Sequence, residues 1–193
     1  MKIPSGINNN SPTTSLFVYG TLMSPHVAET LLGRIPSPME PATLWGYKRY
    51  AVKRQVYPAI LSTKEFSRDN NQHQQHGRCS FFVEGILMRG LTTSEMKRLD
   101  WFEDVDYQRR GVKIELSIDS TTPTLSSSQS ARMDSDSAIM NEMQAQTYVW
   151  NNPTSELEIE QEWSFEKFCE QNLNWYLETT VRPCREELDR LGY

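Results

Sequence analysis

The chain reads as α+β, built on a mostly antiparallel or barrel-like sheet. Three observations predict this. Five or six segments carry apolar runs or alternation of strand length, only a few show helical spacing, and the two kinds do not alternate as regular strand–helix–strand units. The first strand is the apolar run Leu16-Phe17-Val18-Tyr19, closed by Gly20. Ser24-Pro25 then offers an N-cap with proline at the first helical position. Val27, Ala28, Leu31 and Leu32 supply that helix's apolar stripe, and Gly33 stops it. Strand patterns follow over 42–52, 56–61, 80–90, 107–118 and 146–150. Over 163–191, Phe165, Phe168, Cys169, Leu173 and Tyr176 fall near helical spacing, which predicts one amphipathic C-terminal helix whose aromatics belong to the core.

The best-specified helix runs from Thr92 to Phe102. Thr92 and Glu95 make a capping box, and Leu91 with Met96 makes a hydrophobic staple. Met96, Leu99 and Glu103 then share one face at i, i+3 and i+7. Met96 and Leu99 must be its buried side, so Glu103 ends the helix pointing where the apolar residues point. Carboxylates are rarely buried without a reason. Partial burial, the neighbouring Asp100, Asp104 and Asp106, and the negative end of the helix dipole all predict a raised pKa. That is what a general base working near neutral pH needs. The competing expectation is an ion pair between Glu103 and Arg109, Arg110 or Lys113 on the next strand, and periodicity alone slightly favours that pair.

A second candidate is the loop Tyr19-Gly20-Thr21-Leu22-Met23-Ser24, between the first strand and a helix N-terminus. Gly20 permits a sharp turn and close approach to a ligand, and the free N–H groups suit a carboxylate. An ordinary tight turn uses the same residues. No GxxxxGK[ST] or GxGxxG is present to argue for a phosphate.

Length and composition bound the rest. The 193 residues suit a single domain, with 37% hydrophobic and 10% aromatic residues. The mean hydropathy of −0.62 implies solvated excess around a smaller folded unit. Polar tracts at 1–14, 62–78 and 119–144 are expected to be a disordered tail and two loop insertions in one domain spanning 15–193. Twenty basic against 25 acidic residues, net −5, argue against a nucleic-acid partner. No run approaches the roughly 18 apolar residues of a membrane helix, and the polar start lacks the features of a secretory signal. Cys79, Cys169 and Cys184 form no CxxC and read as free thiols. A cytoplasmic location is the expectation. His73 and His76 with Cys79 lie in a polar tract without a second ligand pair, so no metal is expected. GxSxG and HExxH are absent.

Taken in order, several pieces resemble the gamma-glutamylcyclotransferase-like superfamily: Phe17-Val18-Tyr19-Gly20-Thr21-Leu22-Met23; Ala42, Leu44, Gly46, Tyr47 and Arg49; Val56-Tyr57-Pro58-Ala59-Ile60; Gly85-Ile86-Leu87; Leu99 to Tyr107; and Gln146-Thr147-Tyr148-Val149-Trp150. Tyr-Gly-Thr-Leu is similar to the AIG2-like and gamma-glutamylamine cyclotransferase branch. The resemblance implies a small mixed β-barrel with flanking helices, no cofactor, and a small γ-glutamyl substrate converted to 5-oxoproline. It matches Glu103 to the catalytic acid/base, and Tyr19, Gly20, Thr21, Leu22, Met23 and Ser24 to the substrate-holding loop. Asp104 stands where many members of the superfamily have Gly, although AIG2-like chains often share the Asp. The alternative is a non-catalytic AIG2-like binding or regulatory domain, in which Glu103 is locked in an ion pair and the pocket is filled.

Overall fold

The computed structural model describes residues 13–66, 81–117 and 142–193. Strand β1 (Thr14–Val18) leads through a 3₁₀ turn (Thr21–Met23) into α1 (Pro25–Leu32). Then come β2 (Met39–Trp45), β3 (Tyr47–Val52), β4 (Pro58–Ser62) and the short α2 (Thr63–Phe66). The central unit is β5 (Phe82–Leu91), α3 (Thr93–Glu103) and β6 (Tyr107–Leu116). Last come β7 (Glu142–Trp150), a two-residue β8 (Leu157–Glu158), α4 (Phe165–Gln171), α5 (Leu173–Tyr176), a π-helical turn (Leu177–Val181) and α6 (Arg182–Leu191).

Five strands close a barrel in the order β1-β5-β2-β6-β7, and β4-β3-β8 form a separate sheet. Every barrel pairing is antiparallel except that of β1 with β7, which is parallel with Leu16 opposite Gln146. The unbroken apolar run of β1 follows from burial on both of its faces. Phe17 points into the barrel with Leu44, Leu87, Ile114 and Val149. Leu16 and Val18 point outward beneath α1, α3 and the C-terminal helices. A third cluster, including Tyr50, Leu61 and Trp150, lies under the small sheet.

Three local expectations change. The single strand over 42–52 is two strands in different sheets, because Gly46 adopts φ +80 and turns the chain out of the barrel. The single helix over 163–191 is broken. Asn172 leaves helical geometry with φ −123, and a π-helical turn precedes Pro183, which has no amide to continue the ladder. All three tract boundaries also move: residue 13 is described and Thr14 begins β1, Ser62 ends β4, 63–66 are helical, and Glu142 to Gln144 belong to β7. The remainder of the three polar tracts, with His73, His76 and Cys79, lies outside the described residues. Thr92 does cap α3: its hydroxyl accepts the Glu95 N–H at 3.2 Å while its own N–H donates to Glu95 Oε2 at 2.8 Å. Arg34, just past the end of α1, then clamps Glu95, fixing the axis of the helix that ends in Glu103. No described helix is long and apolar enough to cross a membrane.

Candidate active site

A cavity of about 410 Å³ opens where the end of β1, the end of α3, the start of β6 and the C-terminal helices meet. Glu103 reaches it from the apolar stripe of α3, below the buried Met96 and Leu99. Among the described residues the Glu103 carboxyl makes no hydrogen bond and no ion pair. The cations expected to neutralise it are engaged elsewhere. Arg109 pairs with Asp100 at 3.3 Å and Lys113 with Glu142 at 3.1 Å, while Arg110 donates to Gln108 Oε1 at 3.2 Å. Burial, and then the charge of Asp100, push the Glu103 carboxyl up to about 8.

Neutral phenols surround this carboxyl. The Tyr19 hydroxyl donates to the Tyr148 carbonyl at 2.7 Å, Tyr107 to the Pro58 carbonyl at 2.8 Å, and Tyr148 to Asp100 Oδ1 at 2.8 Å. Burial raises the pKa of each, as it does for Tyr176, and a charged Glu103 raises them further. They present dipoles, not charge. The thiol of Cys184, in the same wall, is pushed by burial up to about 11 and stays protonated.

The loop from β1 supplies the other side. Tyr19, Gly20, Thr21 and Leu22 line the cavity; Met23 and Ser24 do not. Met23 packs on the outer core, and the Ser24 carbonyl accepts the Ala28 N–H as α1 begins. Gly20 is required by contact, since a Cβ there would sit 2.9 Å from Pro58 Cγ. The N–H groups of Gly20, Thr21 and Leu22 donate to no acceptor among the described residues. Arg49 braces the loop from β3. Its guanidinium donates to the Tyr19 carbonyl at 2.9 Å and to the Glu84 carbonyl at 3.3 Å, and lies 5.6 Å from the Trp163 ring centre. Its charge lowers the pKa of the Tyr19 phenol, so its field reaches the cavity.

Asp104, directly after Glu103, has φ 51 and ψ −154, a region that suits glycine. The chain turns sharply off the helix at this step and leaves Glu103 at the cavity. Asp104→Gly is expected to stabilise the fold by about 1 kcal/mol, relief of strain exceeding the entropy that glycine adds to the unfolded chain. A urea unfolding midpoint at or below that of the native protein contradicts this.

Comparison with known proteins is consistent with this geometry. The family model "Gamma-glutamyl cyclotransferase, AIG2-like" matches residues 16–165. The chain belongs to that family. AIG2-like protein D of Arabidopsis thaliana is 32% identical over 175 residues, covering 91% of each chain. AIG2-like protein C of the same plant is 31% identical over 167 residues, covering 86% of this chain and 76% of the relative. A yeast gamma glutamyl cyclotransferase specific to glutathione shares the fold with a TM-score of 0.54 at 10% identity, over 94% of this chain and 97% of that one.

Within this AIG2-like framework, sequence reasoning missed most of the cavity wall. Tyr148 reads only as part of a closing strand. Tyr176 reads as core on a helical stripe, although its side chain also faces the cavity. Trp101, Thr180 and Cys184 carry no local signal at all. Among the described residues no group of His, Cys, Asp and Glu is arranged to hold a metal ion.

Proposed function

We propose that the protein is a gamma-glutamyl cyclotransferase, releasing 5-oxoproline from a γ-glutamyl compound with Glu103 as acid/base. The observation that carries this reading is a cavity carboxyl without a partner, raised to about 8, sharing one pocket with a loop of free N–H groups. The substrate's α-carboxylate fits those amides. Glu103 takes a proton from the α-ammonium. The freed amine attacks the γ-carbonyl carbon of the same molecule, and a five-membered ring closes. The bond from that carbon to the leaving nitrogen then breaks as Glu103 returns the proton to that nitrogen, and the ring nitrogen gives its second proton to the released amine, leaving the lactam with one N–H. Attack within one molecule makes holding the chain folded back the larger part of catalysis. The hydroxyl protons of Tyr19, Tyr107 and Tyr148 are committed to protein acceptors, so donors to the developing oxyanion are the loop amides that the α-carboxylate leaves free. The binding-domain alternative requires an ion-paired Glu103 and a filled pocket, and neither is present among the described residues.

The test is 5-oxoproline release from a γ-glutamyl amino acid, a γ-glutamylamine and glutathione. A folded protein that releases it from none of them refutes the reading. Because the base must lose its proton before it acts, kcat/KM should rise about tenfold per pH unit below 8 and level above it. Binding an ammonium beside Glu103 favours the carboxylate, so the pKa seen in kcat should lie below the one seen in kcat/KM. A profile flat from pH 6 to 9 removes Glu103 as the base.

A further inference from the structure

Five tyrosines line the cavity that holds Glu103, and three commit their hydroxyl protons to the Tyr148 carbonyl, the Pro58 carbonyl and Asp100. The other two are Tyr57 and Tyr176, and neither hydroxyl donates to an acceptor among the described residues. Tyr57 is half-buried and faces negative charge from Asp106, Glu103 and Glu156. Tyr176 is different. It is only 4% exposed and ends α5, past the residues 16–165 that the family model matches. Its ring meets Phe168 edge-on, with centres 5.5 Å apart, in the outer core. Its oxygen accepts a hydrogen bond from the Thr21 hydroxyl on the cavity loop. A π-helical turn follows directly, and such turns are frequent at functional sites. A buried O–H without an acceptor is costly unless something entering the cavity takes its proton.

Thr21 also supplies one of the three free loop amides, with Gly20 and Leu22 supplying the others. The Tyr176 hydroxyl therefore stands where the glutamyl α-carboxylate binds in the reading above. A carboxylate accepts about four hydrogen bonds, more than three amides shared with the developing oxyanion can supply. Glu103, Asp104 and Asp106 line the cavity and no described lysine, arginine or histidine does, so a bound carboxylate depends on neutral donors. Burial keeps the Tyr176 phenol protonated and so able to donate. We propose that Tyr176 donates its hydroxyl proton to the α-carboxylate of the bound γ-glutamyl group, so that the C-terminal helices and the loop after β1 form one recognition site for that carboxylate. This rests on the cyclotransferase reading and adds to it a residue that selects compounds carrying the α-carboxylate over those lacking it.

The test is calorimetric titration of 5-oxoproline and of 2-pyrrolidinone, the same lactam without the carboxylate, into the native protein and into Tyr176→Phe. Phenylalanine keeps the ring against Phe168 and removes only the donor. The variant should bind 5-oxoproline roughly tenfold more weakly than the native protein does. 2-Pyrrolidinone should not distinguish the two proteins. Equal weakening of both ligands means that the hydroxyl only shapes the cavity, and it overturns the proposal. Unchanged affinity for 5-oxoproline, or no binding of it by the native protein, overturns it too. In turnover of γ-glutamylglycine the variant should raise KM by a similar factor and change kcat much less. A loss confined to kcat places the hydroxyl at the γ-carbonyl instead, against the proposal. Failure of the cyclotransferase reading is seen separately, as a folded native protein that releases 5-oxoproline from no γ-glutamyl compound, and the titrations then decide the role of Tyr176 alone.

Discussion

Glu103→Gln is expected to cut 5-oxoproline release at least about 100-fold and, at pH 8, to make the protein harder to unfold. The first effect follows from chemistry: an amide keeps the shape of the side chain but cannot take the α-ammonium proton. The second follows from linkage. Glu103 titrates near 4.5 in an ordinary setting and near 8 in the folded chain. Between those values the folded protein holds a proton that the unfolded chain has released. Native stability therefore falls as pH rises through this window, by up to about 1.4 kcal/mol per pH unit, and the loss is complete above 8. Glutamine stays neutral and escapes that loss. Urea unfolding of both proteins at half-unit steps from pH 5 to 9 should show the variant gaining on the native protein up to about pH 8, then running parallel to it. Parallel curves across the whole range mean that Glu103 is solvated like any surface carboxylate, and the acid/base role loses its electrostatic basis. The expected combination, less active but more stable, is the signature of a residue retained for its chemistry.

What the sequence made legible was local. The capping box at Thr92, the staple behind it and the i, i+3, i+7 spacing fix both the start of α3 and the side on which Glu103 emerges, because each depends on residues within a turn or two. The tight approach at Gly20 is also visible, although its cause, the Pro58 ring, is not. The illegible parts are contacts between distant segments. Tyr148 and Tyr176 stand 28 positions apart and meet Glu103 only after the barrel has closed and α5 has turned back over it. The resting state of Arg109 depends likewise on Asp100 being nearer to it than Glu103, a matter of how β6 leaves the helix. Gly46 misleads for a related reason: glycine within an apolar strand pattern fits a continuous strand, a bulge or a corner equally well, and here it is a corner between two sheets. Asp104 is the instructive intermediate. Its identity gives no local sign of an unusual conformation, and only the backbone angles, φ 51 and ψ −154, show that an aspartate there carries strain.

Gly85→Ala should destabilise the fold by roughly 3 kcal/mol, at the upper end for overpacking a core, and should impair turnover in whatever protein still folds. Gly85 faces the barrel interior on β5, opposite Ala42 on β2. A Cβ there would lie 2.3 Å from the Val18 carbonyl oxygen and 2.6 Å from Phe17 Cζ. Neither atom can readily yield. Val18 pairs with Ile86 in the ladder between β1 and β5, and Phe17 is fully buried and stacked on Tyr19 with ring centres 6.5 Å apart. Relief must therefore come from displacing β1 or turning the Phe17 ring. Either movement is passed to Tyr19, where the cavity loop begins, and to the Tyr148 carbonyl that its hydroxyl holds. The matched control is Gly111→Ala on β6, where a Cβ meets nothing within 4 Å. There alanine should be neutral or stabilising by about 0.5 kcal/mol, because it restricts only the unfolded chain. Equal unfolding midpoints for the two variants would mean that the barrel interior has slack at Gly85. Tyr19 would then be free to shift, and the loop geometry on which the proposed catalysis depends would not be held by the barrel core.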